Sequence, residues 1–271
     1  MNSADFAELE VLTQAPDARS GEETRPTPLL FLHGAYAGAW CWAEHFLPYF
    51  AGHGYASHAL SLSGHGGSRG RKELDSLGIV DYVADLAEAA SALPAPPVVI
   101  GHSMGGFVVQ KYLERHQAPA AVLMCAVPPQ GLMSAGFGLM FREPGLLRDL
   151  NSLMGGGRVS VETLRQALFA QPLPAEDLQR YLRLSQPESR RAIWDMTLFS
   201  LPRPAKVKDT PLLVLGAELD HLIPPPLVEM TARSYSTEAE IFPGMGHGLM
   251  LERDWQIVAG RILSWLTERG I

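Results

Sequence analysis

Short apolar runs recur along the chain, and most of them end at glycine or proline. Six such runs predict strands, at residues 28–34, 55–66, 96–102, 119–127, 210–218 and 239–244. Near-continuous apolar runs of this length are typical of strands that are covered on both faces. Between them, apolar residues recur at helical spacing over 79–93, 107–116 and 255–270. The alternation predicts an α/β fold with a mostly parallel central sheet and helices on both faces.

One interval, residues 131–209, contains no convincing strand. Helical patterns at 161–169 and 175–185 are separated there by glycines and prolines. We therefore predict a core domain of residues 1–130 and 210–271 with an inserted helical cap, or lid, of residues 131–209. Apolar residues at its start favour either an apolar pocket or the cap's own core: Met133, Phe137, Leu139, Met140 and Phe141.

Composition narrows the class of protein. The chain has 271 residues, of which 46% are hydrophobic and 19% charged, enough to bury a sizeable core. The net charge of −7 without a basic run argues against nucleic-acid binding. Cys41 and Cys125 show neither a disulfide framework nor metal-ligand spacing, so we expect packing roles for both. The sequence has no His-Glu-x-x-His pattern either, and we expect no metal and no cofactor.

The expected environment is cytoplasmic. The first ten residues are polar and acidic, unlike a secretory signal, and the most apolar stretch, 120–141, is interrupted by prolines and glycines. We expect a small-molecule substrate, no nucleic acid and no membrane span, and the sequence is compatible with a homodimer.

The pattern Gly-x-Ser-x-Gly occurs twice, at 66–70 and at 101–105. It marks an activated serine only where a strand precedes the serine and a helix follows a sharp turn. Ser103 has this context, because the apolar run 96–102 precedes it and a helical pattern follows. Ser68 is followed by charged residues, so we predict that Ser103 is the nucleophile and that Ser68 lies in a loop.

A serine hydroxyl needs a base, and imidazole has a suitable pKa. In sheets of this kind the chain order is serine, acid, histidine. Three histidines follow Ser103. His116 ends the helix after the serine and should point away, and His221 adjoins the acid candidates. His247 lies in a glycine-rich loop after the last strand, so it is the predicted base.

The acid should follow the preceding strand, where Glu218 and Asp220 are available. Asp220 is favoured because Glu218 comes too soon after the strand, and Asp195 in the cap is a weaker alternative. An oxyanion needs two backbone N–H donors. We expect these donors to be the N–H groups of Met104, which follows the nucleophile, and of Ala35, in the loop after the strand predicted at 28–34.

Taken together, the motifs resemble those of α/β-hydrolase-fold enzymes over nearly the whole chain. They are HG at 33–34, SGHGGS at 63–68, GHSMGG at 101–106, GAELD at 216–220 and GMGH at 244–247. In that family the segment that corresponds to SGHGGS is a loop, which again indicates that Ser68 is not catalytic. The stretch 33–42 is locally similar to plant methylesterases and hydroxynitrile lyases; its Trp40 and Trp42 either pack or contact substrate.

These observations favour a serine hydrolase that cleaves a small, apolar carboxylic ester through Ser103, His247, Asp220 and an acyl-enzyme. The same residues also suit hydrolysis of a thioester, an amide, a lactone or a carbon–carbon bond. A lyase or perhydrolase on this scaffold, and a non-enzymatic relative that binds a ligand under the lid, are further alternatives.

Overall fold

The computed structural model describes residues 8–17, 21–133 and 161–271. The predicted apolar residues Phe137, Leu139, Met140 and Phe141 therefore lie outside the described residues, whereas Met133 is described and exposed. One seven-stranded sheet runs in the order β1-β3-β2-β4-β5-β6-β7, with only β1 antiparallel to its neighbour. The strands are β1 (Val11–Gln14), β2 (Leu29–Leu32), β3 (Ser57–Leu60), β4 (Val98–His102), β5 (Ala121–Met124), β6 (Leu212–Ala217) and β7 (Ala239–Phe242).

The six strands predicted from apolar runs are confirmed, because each run contains one strand. β4 lies at the centre, with Leu29 of β2 opposite Val98 and Ala121 of β5 opposite Val99. Among the strands of the described residues, only the edge strand β1 went unpredicted. Its sequence, VLTQ, is short and only half-buried, so it carries little hydrophobic signal.

Helices fill the connections between the strands. They are α1 (Trp40–Ala43), α2 (Phe46–Gly52), α3 (Ile79–Ser91), α4 (Met104–Tyr112), α5 (Val161–Leu168), α6 (Ala175–Leu184), α7 (Arg190–Trp194), α8 (Pro225–Ser234) and α9 (Trp255–Thr267). A π-helical turn, Asp195–Phe199, continues α7, and 3₁₀ turns occur at Arg71–Ser76 and Pro204–Lys206. The pattern predicted the long helices but missed α1, α2, α7 and α8, which are short or begin with proline.

The sheet separates two apolar layers. Side chains alternate along a strand, so Phe31 of β2 faces one layer and Leu30 faces the other. The first layer includes Trp42 and Trp265, and the second includes Phe107 of α4. Every residue of β2 to β5 is buried, which explains the apolar character of β2, β4 and β5, whereas β3 also buries the polar residues Ser57 and His58.

The long connection from β5 to β6, residues 125–211, contains only helical elements and turns in its described part, 125–133 and 161–211. This agrees with the absence of a strand pattern there. That it forms a separate cap stays a prediction. None of the helices in the described part of the chain is long and apolar enough to cross a membrane.

Candidate active site

Ser103 occupies the sharp turn between β4 and α4. Its backbone has φ 52° and ψ −116°, a conformation that a residue with a side chain rarely adopts. Such strain costs on the order of 1–3 kcal/mol and persists only where the surroundings enforce it. Hydrogen bonds from the Ser103 N–H to the Met124 carbonyl, 3.0 Å, and from the Val127 N–H to the Ser103 carbonyl, 3.2 Å, hold the turn from β5.

Glycine makes this turn possible. A Cβ on Gly105, in the first turn of α4, would lie 2.5 Å from the carbonyl oxygen of His33. A Cβ on Gly101 would lie equally close, 2.5 Å, to the carbonyl oxygen of Gly105. Helix and strand therefore approach more closely here than any side chain allows, and the serine is left at the carboxyl end of the sheet.

Asp220 and His247 meet at the same end of the sheet. Asp220 follows β6 and His247 follows β7, and the imidazole Nδ1 lies 2.7 Å from the carboxylate Oδ2, with both side chains buried. The other carboxylate oxygen, Oδ1, accepts the N–H groups of Leu222 at 2.8 Å and Ile223 at 2.9 Å. In the neutral tautomer whose Nδ1–H donates to this carboxylate, Nε2 carries the lone pair that a base needs.

Cys125 lies close to Asp220 and His247, a contact that the sequence did not predict. Its sulfur lies within 4.8 Å of the ligand atoms of both Asp220 and His247. Burial, reinforced by the Asp220 carboxylate beside it, raises the pKa of the Cys125 thiol well above its ordinary value. The sulfur therefore stays a neutral thiol, a hydrogen-bond donor to the carboxylate rather than a second nucleophile. No sequence signal indicated this, because its partners lie about 95 and 122 positions away in the chain.

The same three side chains are also the group in the described residues whose donor atoms lie close enough to suggest a metal site. However, His247 Nδ1 and Asp220 Oδ2 are only 2.7 Å apart. Two ligands of one tetrahedral zinc would be separated by roughly 3.3 Å, given bond lengths of about 2.0–2.1 Å. The distance fits a shared proton better than a shared cation.

His102, next to the serine, supports the loop that carries His247. Its Nε2 donates to the His247 backbone carbonyl at 2.9 Å. Burial, together with the neighbouring His247, lowers the pKa of His102 well below its ordinary value. It therefore contributes a neutral ring to the site.

The loop after β2, residues 33–38, packs directly against Ser103. A Cβ on Gly34 would lie 3.0 Å from the Ser103 Cβ and 2.9 Å from His102 Nδ1. Within the described part of the chain, the N–H groups of Ala35 and Met104 have no hydrogen-bond acceptor in the protein. Both are the donors expected for an oxyanion, and both belong to backbone adjoining Ser103.

His33 holds the loop in shape. Its Nδ1 donates to the Gly34 carbonyl at 2.8 Å, and its Nε2 accepts the Leu62 N–H at 3.1 Å. One nitrogen donates and the other accepts, so the ring must be neutral. Burial and the neighbouring His65 lower the pKa of His33 to about 3, in agreement with this assignment.

A cavity of about 630 Å³ opens beside these groups, and both Ser103 and His247 line it. None of its described lining residues is Asp, Glu, Lys or Arg. Trp40 lines the wall and stacks on Tyr181 of α6 with a centroid distance of 5.6 Å. Trp42 instead packs in the core against Phe31, 5.0 Å between ring centroids. Trp42 therefore has a packing role, whereas contact between Trp40 and a substrate stays a prediction.

Ser68, the serine of the Gly-x-Ser-x-Gly match at 66–70, lies in a loop. Its buried hydroxyl donates to the Ser61 carbonyl at 2.5 Å and accepts the Glu10 N–H at 2.8 Å. The hydroxyl thus ties the loop to the chain just before β1 and does not line the cavity.

The alternative acids have other partners. The exposed Glu218 accepts the Gly244 N–H at 2.8 Å, and Asp195 accepts the Ile79 N–H at 3.0 Å, at the start of α3. His116 is exposed and stacks on Tyr112, away from the serine. Of the candidates, the structure brings Asp220 and His247 together.

Comparisons with known proteins agree with this architecture. The model of the alpha/beta hydrolase family matches residues 29–261. A monoacylglycerol lipase of Mycolicibacterium smegmatis is 26% identical over 259 residues, 90% of each chain. Methylesterase 2 of Arabidopsis thaliana is 28% identical over 186 residues, 62% of this chain and 69% of its own. The structure of an esterase from Exiguobacterium antarcticum superposes with a TM-score of 0.73 at 19% identity, covering 96% of this chain and 95% of that one.

The chain belongs to the α/β-hydrolase family, and it is a hydrolase enzyme. The family resemblance expected from the motifs is confirmed, including the relationship to plant methylesterases.

Proposed function

We propose that the protein is a serine hydrolase that cleaves small, uncharged carboxylic esters, with Ser103 as nucleophile, His247 as general base and acid, and Asp220 as the residue that orients His247. The observation that carries the proposal is the buried 2.7 Å contact between His247 Nδ1 and Asp220 Oδ2, at a cavity that Ser103 also lines. Ester cleavage is also the activity for which the lipase and methylesterase relatives are named.

In the proposed reaction, Nε2 of His247 takes the hydroxyl proton as Ser103 Oγ attacks the ester carbonyl carbon. The carbonyl oxygen becomes an oxyanion, which accepts the N–H groups of Ala35 and Met104. Met104 begins α4, so the amino-terminal end of the helix dipole favours the same negative charge.

The intermediate then collapses. The bond to the alkoxide breaks, His247 gives its proton to the departing oxygen, and the alcohol leaves an acyl group on Ser103. Water attacks this acyl-enzyme with His247 again as base, and the acid is released. Asp220 accepts from Nδ1–H throughout and stabilises the imidazolium formed in each half of the reaction.

The cavity indicates the substrate class. Its described lining is mostly apolar and aromatic, with a few uncharged polar side chains and no Asp, Glu, Lys or Arg, so a charged acyl group would find no carboxylate, ammonium or guanidinium partner on it. We propose that residues 131–209 act as the cap over this cavity, because Thr163, Leu168, Tyr181 and Gln186 from that interval line it. This favours neutral esters with an apolar acyl group.

The test is labelling with a fluorophosphonate probe, followed by mass spectrometry of the labelled peptide, and a panel of p-nitrophenyl esters of increasing acyl length. Ser103→Ala should lose all labelling and turnover, while Ser68→Ala should keep both. If wild-type protein labels but cleaves only thioesters, amides or lactones, the nucleophile stands and the ester assignment is wrong. If folded wild-type protein neither labels nor turns over any of these, the serine hydrolase proposal is refuted.

A further inference from the structure

Residues 185–189 of the β5–β6 connection lie against the loop that carries Ala35. Gln186 donates its N–H to the Tyr36 carbonyl at 2.8 Å, and the Glu188 Oε2 accepts the Tyr36 N–H at 3.4 Å. Tyr36 has φ 64°, a left-handed conformation that is costly for a residue with a side chain. Both backbone polar groups of this strained residue are thus held by a segment 150 positions away.

Glu188 is buried, and the proposed reaction does not use it. Besides the Tyr36 N–H, its Oε2 lies 3.1 Å from the His65 Nε2. Its Oε1 accepts the Tyr82 hydroxyl and the Ser189 N–H, each at 2.7 Å. Three hydrogen-bond donors, together with the His65 ring at ion-pair distance, therefore surround one carboxylate, as a buried charge requires.

The surroundings favour the charged form of both groups. Burial opposes the ionised form of both groups, but the opposite charge of His65 and the hydrogen bonds outweigh it, so the pKa of Glu188 is lowered. The pKa of His65 is raised for the corresponding reason, despite its own burial. His65 Nδ1 also lies 3.2 Å from the Ser63 carbonyl, so both ring nitrogens face acceptors, as an imidazolium requires.

The contact bears directly on the expected oxyanion donor. A peptide unit is planar, so the Ala35 N–H shares a plane with the Gly34 carbonyl, and the Ala35 carbonyl shares one with the Tyr36 N–H. His33 fixes the first plane through its 2.8 Å hydrogen bond to the Gly34 carbonyl. Glu188 fixes the second through Tyr36. With both flanking planes fixed, the two backbone dihedral angles of Ala35 have little freedom.

We propose that Glu188 is a positioning residue for the oxyanion hole: by holding the Tyr36 peptide from the β5–β6 connection, it sets the direction of the Ala35 N–H. The inference rests on the proposed function, since it assumes that Ala35 donates to an oxyanion. It assigns a catalytic consequence to a residue that touches no substrate. The effect should fall on the transition state rather than on substrate binding, and therefore on kcat more than on KM.

The primary variant is Glu188→Gln. It preserves shape, but an NH₂ group replaces one carboxylate oxygen, so either the Tyr36 N–H or the Ser189 N–H faces another donor, and the charge that pairs with His65 is lost. Asp75→Asn is the matched control. It breaks the exposed Asp75–Arg190 ion pair, 2.6 Å, which also joins the β5–β6 connection to the core but lies outside the Tyr36 contact. Both variants are compared with wild type well below their melting temperatures.

Two kinetic readouts are decisive: kcat and KM for p-nitrophenyl butyrate, and the inhibition constant of an alkyl trifluoromethyl ketone, whose adduct with Ser103 carries an oxyanion. We expect Glu188→Gln to lower kcat by about 10- to 100-fold with KM little changed, on the scale of a displaced oxyanion donor. The ketone should bind more weakly by a similar factor, and Asp75→Asn should behave as wild type.

An unchanged kcat in folded Glu188→Gln would overturn the inference, and so would a lower kcat with unchanged ketone affinity. An equal loss in Asp75→Asn would also overturn it, because general docking of the connection would then be responsible. If Glu188→Gln does not fold, Glu188→Asp serves under the same criteria, because it keeps the charge but is too short to reach all four partners. If the wild-type protein is active and Glu188→Gln behaves like it, only the inference is refuted. If the wild-type protein neither hydrolyses ester nor is labelled at Ser103, the proposed function is refuted, and the inference with it.

Discussion

Replacing Gly34 by alanine tests how closely the loop after β2 is fitted to the nucleophile. The new Cβ would lie 2.9 Å from His102 Nδ1 and 3.0 Å from Ser103 Cβ, whereas non-bonded heavy atoms prefer about 3.5–4.0 Å. Neither neighbour can yield easily. Ser103 Cβ is attached to a strained backbone, and the His102 ring is fixed by its 2.9 Å hydrogen bond to the His247 carbonyl.

The loop must therefore move by roughly 0.5 Å or more, and it carries Ala35 with it. A displacement of about 1 Å at a reacting centre costs about 10²-fold in rate, and loss of one oxyanion donor costs about 10²–10³-fold. We expect Gly34→Ala to lower kcat by about 10- to 100-fold, which is about 1.4–2.7 kcal/mol of transition-state stabilisation. KM should change less than kcat, because most of the residues that line the cavity lie outside this loop.

The assay is steady-state hydrolysis of p-nitrophenyl butyrate, with the melting temperature measured on the same preparations. Gly52→Ala is the matched control: its Cβ meets nothing within 4 Å, so activity should be unchanged and stability equal or higher by up to about 1 kcal/mol. A folded Gly34→Ala protein with wild-type kcat would refute the reasoning, because the loop would then have no fitted relation to Ser103.

Further predictions concern other parts of the molecule. Ser68→Ala should lower the free energy of unfolding in urea by about 1–3 kcal/mol, through loss of two backbone contacts, without loss of fluorophosphonate labelling. Asp220→Asn should lower kcat by about 10⁴-fold with KM little changed, because the amide favours the wrong imidazole tautomer. Cys41 and Cys125 are buried with raised thiol pKa values, so neither should react with Ellman's reagent in native protein at pH 8, and both should react in guanidinium. The pKa of folded His33 is lowered from 6.5 to about 3, so the unfolded chain binds a proton that the folded chain does not. The contribution of His33 to the free energy of unfolding should therefore fall by about 1.4 kcal/mol per pH unit as the pH falls from 6.5 towards 3. Urea unfolding at several pH values should show that this free energy depends less on pH in His33→Gln than in wild type.

The order of elements and the candidate nucleophile could be predicted from the sequence, because both depend on local signals. A strand buried on both faces must be apolar along its length, and the close packing around Ser103 requires glycine at fixed offsets. Asp220 and His247 follow from the same logic, since parallel strands carry the residues after their carboxyl ends to one edge of the sheet. Strand β1 and helix α1 were missed because four residues carry almost no periodicity.

The contacts that tune the site could not be predicted in this way. Cys125 looked like a packing residue until the fold placed it beside Asp220, and Glu188 looked like one more charge in a helical interval until the fold buried it against Tyr36. Hydrophobic periodicity records which face of an element is buried, but not which distant residue it meets. That is decided by the strand order and by close packing between the layers. The sequence by itself therefore determined the fold class and the candidates for the chemistry, and the tertiary structure alone decided how their geometry is held.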